Sequence, residues 1–589
     1  MNAQREPARS LPPLRRRTGS NALGFTAFVA LIAACESRPA VEPADMVLTN
    51  GKVVTVDDAM PEAQAVAMRG GLIVAVGSSD EIADYIGPAT EVVDLTGRLA
   101  VPGFIEGHGH FMGLGRAKTI LDLTQVRNWD EVVAMVREAV AQATPGEWIF
   151  GRGWHQEKWD RVPADAVDGV PLHHTLSAVS PDNPVILTHA SGHAAFANAR
   201  AMELARITSG TANPAGGEIV HDAQRNPTGL LRETAQRLVN AVSAPSEQRS
   251  PEEVYAEQKR YVELAGQEAL SKGVTSFQDA GSDFATIDFL KTLEQRGELP
   301  IRLYVMVRRE SNADMDAWLP QYLMPMEGND FLTVRSIKRQ IDGALGPHGA
   351  WLLSPYLDLP SSAGLNLEDP ADVEETARIA IRHGFQVNTH AIGDRANRVV
   401  LDIYERVFRE NPDRTDLRWR IEHAQHIDPA DVPRFGQLGV IAAMQGIHCT
   451  SDAPWVLKRL GPERAENGAY VWRDLMNGGA IIANGTDVPV EDIDPIASFY
   501  ASVARVTADG SVFYGDQVMT REEALRSYTL NNAIAAFEET LKGSITVGKV
   551  GDITVLDRDI MTVPVAAIPG TKVDLTIVGG QIRYRREGQ

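Results

Sequence analysis

Two histidines one glycine apart, His108 and His110, follow the apolar pair Phe104-Ile105. Alternate residues of an extended chain point to the same side, so both imidazoles can reach one cation. Other polar groups follow the same rule of sitting where an apolar run stops. Lys338 lies just past the run 334–337, His390 closes Val387-Asn388-Thr389-His390, and His423 closes Arg420-Ile421-Glu422-His423. Asp487 follows Ala483-Asn484-Gly485-Thr486. His426, three residues beyond His423, competes with it for the same position. Imidazole and carboxylate suit Zn²⁺ and other divalent transition metals, and such an ion makes a nucleophile of water near neutral pH and polarises a carbonyl. The chemistry expected is hydrolysis.

The elements that must position these groups are eight short apolar runs, at 104–105, 274–277, 301–306, 334–337, 385–388, 419–421, 440–443 and 480–483. They alternate with helical stretches, which predicts an α/β chain folded as a (β/α)₈ TIM barrel. Active sites of such barrels lie at the C-terminal ends of the strands, so all six groups are expected at one mouth. The gap from 105 to 274 is too long for one connection and predicts a large insertion after the first strand, over 111–268. Both chain ends are rich in short strands: 46–100, with turn signals at Asn50-Gly51 and Gly70-Gly71, and 541–589, with Gly579-Gly580. Asn-Gly between apolar runs predicts a hairpin. Neither end has strands enough to bury a face alone, so the two are expected to form one small β-sandwich around the barrel, 101–540.

Val101-Pro-Gly-Phe-Ile-Glu-Gly-His-Gly-His-Phe111 resembles the opening metal motif of the amidohydrolase superfamily. The segments Gly217-Glu-Ile-Val220, Pro227-Thr-Gly-Leu-Leu-Arg-Glu233, Asp342-Gly-Ala-Leu-Gly346, His390-Ala-Ile-Gly-Asp394, Arg420-Ile-Glu-His-Ala-Gln425, Met444-Gln-Gly-Ile-His448 and Gly485-Thr-Asp-Val-Pro-Val490 are similar to its amidohydrolase family 3 branch, which includes N-substituted formamide deformylases. The resemblance runs in order over 46–585. It implies that His108 and His110 bind one metal, and that His390 and His423 bind a second or shape its pocket. It further implies that Lys338 becomes carboxylated and bridges two ions, and that Asp487 binds metal and takes a proton from the attacking water. Arg339-Gln340-Ile341 after Lys338 is more polar than the family's usual pattern, so one ion, with Lys338 paired to a carboxylate such as Asp342, stays open beside two. His193, in Ser191-Gly-His-Ala194, is similar to a family position near substrate. His448, past the seventh run, is a candidate donor to the carbonyl oxygen, and Trp154-His155 and Trp159 are candidate walls of the substrate pocket. Arg232 and Glu233 read as a local pair in the insertion.

The first 21 residues carry five arginines and one acid, and the apolar run 22–34 ends at Cys35. Thirteen residues give roughly 20 Å of helix, short of the ~30 Å hydrocarbon core, which fits a signal-peptide h-region rather than a span. Ile32-Ala33-Ala34-Cys35 resembles a bacterial lipobox, with 36–45 as a tether. A lipidated Cys35 would hold the enzyme in a bacterial cell envelope, facing the periplasm; an ordinary secretory signal is the alternative. Of 589 residues 57 are basic and 78 acidic, a net charge of −21, which disfavours nucleic acid as a partner. Two cysteines, Cys35 and Cys449, exclude a disulfide framework. The partners expected are a small-molecule substrate, the membrane through the lipid anchor, and a second copy in a homodimer. The function expected is metal-dependent hydrolysis of a non-peptide C–N bond such as an N-substituted amide or formamide. Cleavage of an ester, lactone or carbamate at the same metal is the nearest alternative, and a non-catalytic lipid-anchored binding protein the more distant one.

Overall fold

The computed structural model describes residues 41–167, 169–243 and 249–588. The leader, Cys35 and the first half of the tether lie outside them. Among the described residues no helix is long and apolar enough to cross a membrane.

Eight parallel strands run in sequence order around one sheet: Phe104–Gly109, Val274–Ser282, Arg302–Val307, Leu332–Gln340, Gln386–Ala391, Arg420–His423, Ile441–Gln445 and Ile482–Gly485. Every apolar run picked from the sequence is a barrel strand, each extending further toward its polar end. The last strand returns beside the first. Asn532 Nδ2 donates to Ile105 O at 2.6 Å and to Asn484 O at 2.7 Å, and Asp487 N donates to His108 O at 2.7 Å. Glu106 adds a second clasp, its Oε1 accepting from Thr486 N at 2.6 Å and from His108 N at 3.2 Å. Gly485 is required here, because a Cβ would lie 2.4 Å from that oxygen. Burial without a full positive partner pushes the Glu106 pKa up to about 8.

The inserted sheet has six strands between Leu121 and Glu233, in the order Gly217–His221, Pro227–Glu233, Ala194–Ala197, Val185–His189, Ile149–Trp154, Leu121–Asp122. Period-2 alternation gives it two covered faces. Val185, Leu187, Phe196 and Leu230 join one apolar cluster, while Ile186, Ala195, Ala197 and Leu231 join another. The helix Pro251–Ser271, begun by a Ser250/Glu253 capping box with Pro251 in its first turn, buries Val262, Ala265 and Ala269 in the barrel's own core. The inserted sheet therefore ends well before 268.

The two chain ends build two sheets. One contains Met46–Thr49, Ala65–Arg69, Leu72–Gly77 and Glu91–Asp94; the other contains Lys52–Val54, Glu62–Ala63, Leu99–Pro102, Ile553–Leu556, Val573–Val578 and Gln581–Arg585. Met46, Leu48, Val66 and Ile73 of the first share one core with Val53, Ala100, Ile553, Leu575 and Ile577 of the second, which makes the sandwich. Gly70 and Gly71, both at positive φ, close the hairpin between Ala65–Arg69 and Leu72–Gly77. The hairpin expected at Asn50-Gly51 does not form. Asn50, at φ 57°, carries the chain from one sheet to the other, and the flanking strands pair elsewhere. A sandwich corner uses the same left-handed residue as a hairpin, so the local signal could not separate them.

Candidate active site

The six groups expected at one mouth come from strands one, four, five, six and eight of the barrel. His108 and His110 alternate off the end of the first strand, and Asp487 follows the eighth. The ligating atoms of these three lie within 4.8 Å of one another. His110 Nε2 is 3.1 Å from Asp487 Oδ1, and His108 Nε2 is 3.6 Å from the same oxygen. Lys338 Nζ stands 3.3 Å from His108 Nε2. The rings of His390 and His423 lie 4.4 Å apart, and His423 is 4.6 Å from His108. Asp487, His423 and Ala424 all hold positive φ (57°, 75° and 44°), strained backbone that persists only where the surroundings fix it.

Electrostatics here are dominated by burial. It pushes His108 down to about 4 and keeps His110, His390 and His423 below the ordinary imidazole value, so all four are neutral and able to ligate. Burial also lowers Lys338 to about 7, leaving an amine that is neutral in good part near neutral pH. For Asp487 burial acts the other way, but the hydrogen bond from His110 and the imidazoles of His108 and His423 hold its pKa well below the usual carboxylate range. Buried polar atoms without hydrogen bonds, His390 Nε2 and His448 Nε2, fit a site built around a cation and a polar ligand.

Lys338 is not paired with Asp342. That carboxylate accepts from the backbone N–H groups of Ile392 (3.0 Å), Gly393 (2.8 Å) and Trp351 (2.9 Å), and lies 3.4 Å from His390 Nε2. His426 does not join the cluster either. Its buried ring nitrogens make no hydrogen bond and its ring faces Tyr470. His448 lines a narrow inner cleft with His423, His193 and Asp487, its Nδ1 fixed by Gln425 Nε2 at 3.0 Å. Trp154 lines neither the inner cleft nor the wide outer one. It is a core residue of the insertion, its Nε1 donating to Leu187 O at 2.8 Å and its ring packed on Phe196 and His189. The pocket wall there is His155, stacked on Trp455 at 4.4 Å.

Two carboxylates were missed. Glu422, fully buried, contacts His108 Nδ1 and pairs with Arg420 Nε at 2.6 Å. Burial alone would raise its pKa, but Arg420 and His108 hold it below the usual carboxylate range. A carboxylate on Nδ1 leaves Nε2 as the ligating nitrogen of His108. The signal was present, since Arg420 and Glu422 are two apart in the strand, on either side of apolar Ile421, and so share a face. Glu233 was misassigned. Adjacent strand residues face opposite sides: Arg232 pairs with Glu218 at 2.6 Å, while Glu233 turns to the barrel and accepts from His193 Nδ1 at 2.8 Å. Its other oxygen sits in a cradle where a Cβ at Gly343 would lie 2.0 Å away and one at Gly349 2.2 Å away. Burial would lower the His193 pKa, but Glu233 raises it above the ordinary value. The His193 ring then stands 5.3 Å from that of His390.

A parallel barrel with imidazoles, a lysine and an aspartate gathered at its strand ends is a metal-dependent hydrolase. The chain belongs to the amidohydrolase family, whose profile matches residues 91–584. It is 34% identical to Protein LONG AFTER FAR-RED 3 of Arabidopsis thaliana over 88% of each chain. It is 28% identical to the N-substituted formamide deformylase of Arthrobacter pascens, over 92% of this chain and 99% of that one. Among solved structures, a metal-dependent hydrolase from Pyrococcus horikoshii superposes with a TM-score of 0.69 at 27% identity, covering 88% of this chain and 99% of its own. The chain is thus a hydrolase acting on carbon–nitrogen bonds.

Proposed function

We propose that the enzyme hydrolyses the C–N bond of a small N-substituted amide or formamide. The observation that carries this is the convergence of His108, His110 and Asp487 with Lys338 against His108 Nε2. His108, His110 and Asp487 would hold one divalent ion, best matched by Zn²⁺, and His390 and His423 a second, with Lys338 carboxylated between them. Such an ion supplies a nucleophile from water near neutral pH and polarises the scissile carbonyl. Asp487 accepts the water's proton and returns it to the departing nitrogen, which is a poor leaving group until protonated. His448, with Nε2 buried and unpartnered, donates to the carbonyl oxygen; His193, held by Glu233, orients the substrate. The products are a carboxylic acid and an amine. A panel of N-substituted formamides, acylamines, esters and lactones, run on metal-loaded enzyme with elemental analysis, tests the reading. Turnover confined to the oxygen esters would overturn it.

We also propose that Cys35 is lipidated and that the enzyme faces the cell envelope, on the strength of the arginine-rich leader and the Ile32-Ala33-Ala34-Cys35 motif. Cys35→Ser should move the protein from the membrane fraction to the soluble one; unchanged membrane association would refute the anchor.

A further inference from the structure

Among the described residues, two partly buried arginines of the outer cleft, Arg152 and Arg308, have no carboxylate at ion-pairing distance. Arg152, on the inserted strand Ile149–Trp154, is fixed by neutral acceptors, Nε to Pro489 O at 3.2 Å and Nη2 to Ala190 O at 2.9 Å. Arg308, the residue after the third barrel strand, donates through Nη2 to the Gln340 side chain at 2.6 Å. Its stem lies over Gly281, where a Cβ would meet Arg308 Cβ at 2.5 Å. Of the other arginines of this cleft, Arg237 and Arg309 are exposed to solvent. Arg339 is bound by Thr376 and Asn312, Arg249 pairs with Glu257, and Arg116 lies over the Phe150 ring.

Both guanidiniums belong to the reacting end of the cleft, which they line together with His110 and Lys338. Arg152 is anchored two residues beyond Asp487, at the end of the eighth strand. Arg308 is anchored on Gln340, two residues beyond Lys338. In barrel order the strands between them are the first and second, whose ends carry His110 and Asp279. Asp279 acts on Arg308 only through space, its oxygens accepting from Phe111 N at 2.9 Å and Ser282 Oγ at 2.7 Å rather than from the guanidinium. Asp487 is committed to the imidazoles. Burial lowers the pKa of each arginine to about 10, and the nearby carboxylates, Asp487 for Arg152 and Glu368, Asp279 and Asp487 for Arg308, offset that only in part. Carboxylates line the same cleft, Glu368 and Asp279 among them, but none of the described ones comes within ion-pairing distance of either arginine.

We propose that Arg152 and Arg308 receive a carboxylate carried by the substrate, so that the preferred amides are anionic. This rests on the C–N hydrolase reading above and names its substrate class. A guanidinium offers a planar fork matched to two carboxylate oxygens, and each arginine keeps donors beyond those its neutral anchors use. One side of the grip is on the barrel and the other on the insertion, so only a substrate lying between them meets both.

The test compares N-benzylformamide with N-(4-carboxybenzyl)formamide and its 4-phosphono counterpart on the full-length, metal-loaded enzyme. The carboxylate should be favoured in kcat/KM by at least about tenfold over the neutral amide, and Arg308→Gln and Arg152→Gln should each cut that preference by about tenfold. Arg152→Lys, which keeps a donor for the backbone anchors, serves if the glutamine variant does not fold. Benzoate and benzamide binding, followed by calorimetry on the same proteins, gives a readout independent of turnover: benzoate should bind more tightly, and the variants should weaken it about tenfold. Equal use of charged and neutral amides, with benzoate binding no better than benzamide, would overturn the inference. Preference for the phosphonate would overturn the carboxylate assignment. Benzoate binding through the arginines with no amide cleaved would leave the inference standing and remove the C–N reading instead.

Discussion

The barrel mouth and the inserted sheet face the same cleft, but they are built on different logic. At the mouth, side chains project from parallel strands that all end at one level, so His108, His110, His390 and His423 converge because of backbone direction alone. Three of them are fixed by a neighbour: Glu422 on His108, Gln445 on His423, Asp487 on His110. The insertion has a mixed sheet with both faces covered by apolar clusters, and Arg152, His155, His193 and Glu233 are among its residues that reach the barrel. On the function proposed above, the mouth carries the reaction and the insertion supplies one side of the substrate's grip. Change can accumulate in the second without dismantling the first.

The largest effect expected from breaking the mouth is Asp487→Asn. It keeps shape and one ligating oxygen but removes the base, so kcat should fall by ~10²–10⁴ while metal content by elemental analysis stays near the parent value. Nearly unchanged turnover would make Asp487 a structural ligand only. Glu422→Gln comes next. Losing the charge behind His108 should weaken metal affinity about 10–100-fold, measured by chelator competition, with a far smaller loss of kcat at saturating metal. If affinity is unmoved, the mouth is less interdependent than this comparison holds.

On the insertion side, Gly343→Ala puts a methyl where the Glu233 carboxylate now lies, at a position whose φ any residue accepts. We expect kcat/KM to drop about tenfold, by the loss of one charge-assisted hydrogen bond to His193, with bound metal unchanged. Metal loss in this variant would show that Glu233 belongs to the mouth. The smallest effect concerns the barrel body. The Arg473 side chain, and after it the Thr520 cap, lower the pKa of Glu523 from its ordinary 4.5 to about 2. A depressed folded-state pKa contributes stability above the unfolded value that is lost as pH falls through the folded one, here from about 4.5 toward 2. Discounted for its partial exposure, the pair contributes at most about 1 kcal/mol. Melting of Glu523→Gln should differ slightly from the parent at pH 7, and the gap should close by pH 2.

The same contrast explains what could be read without coordinates. All eight barrel strands were visible as apolar runs, and the chemistry-bearing residues were visible because each stood where a run stopped. His193 was placed near the site by resemblance, yet Glu233 behind it was read as a partner of Arg232, since nothing local tells which face of an inserted strand meets the barrel. Trp154 was read as a pocket wall for a similar reason: a tryptophan next to a histidine looks the same whether the cleft or the core lies beside it. Asn50-Gly51 marked a turn correctly but not which sheets it joined.

The six-stranded sheet of the sandwich has a consequence for how the molecule is made. Leu99–Pro102, which leads straight into the first barrel strand, pairs with Ile553–Leu556, and Arg98 and Lys52 reach across to Asp574 and Asp559. On the ribosome those partners emerge about 450 residues later, a delay of roughly 20–90 s at ~5–20 residues per second. For all that time the early strands hold an apolar face with nothing to close it. The protein therefore cannot finish from its beginning. The last strands to be synthesised complete a sheet begun by the first, and a nascent chain halted before residue 553 carries an open, sticky edge at the base of an otherwise translated barrel.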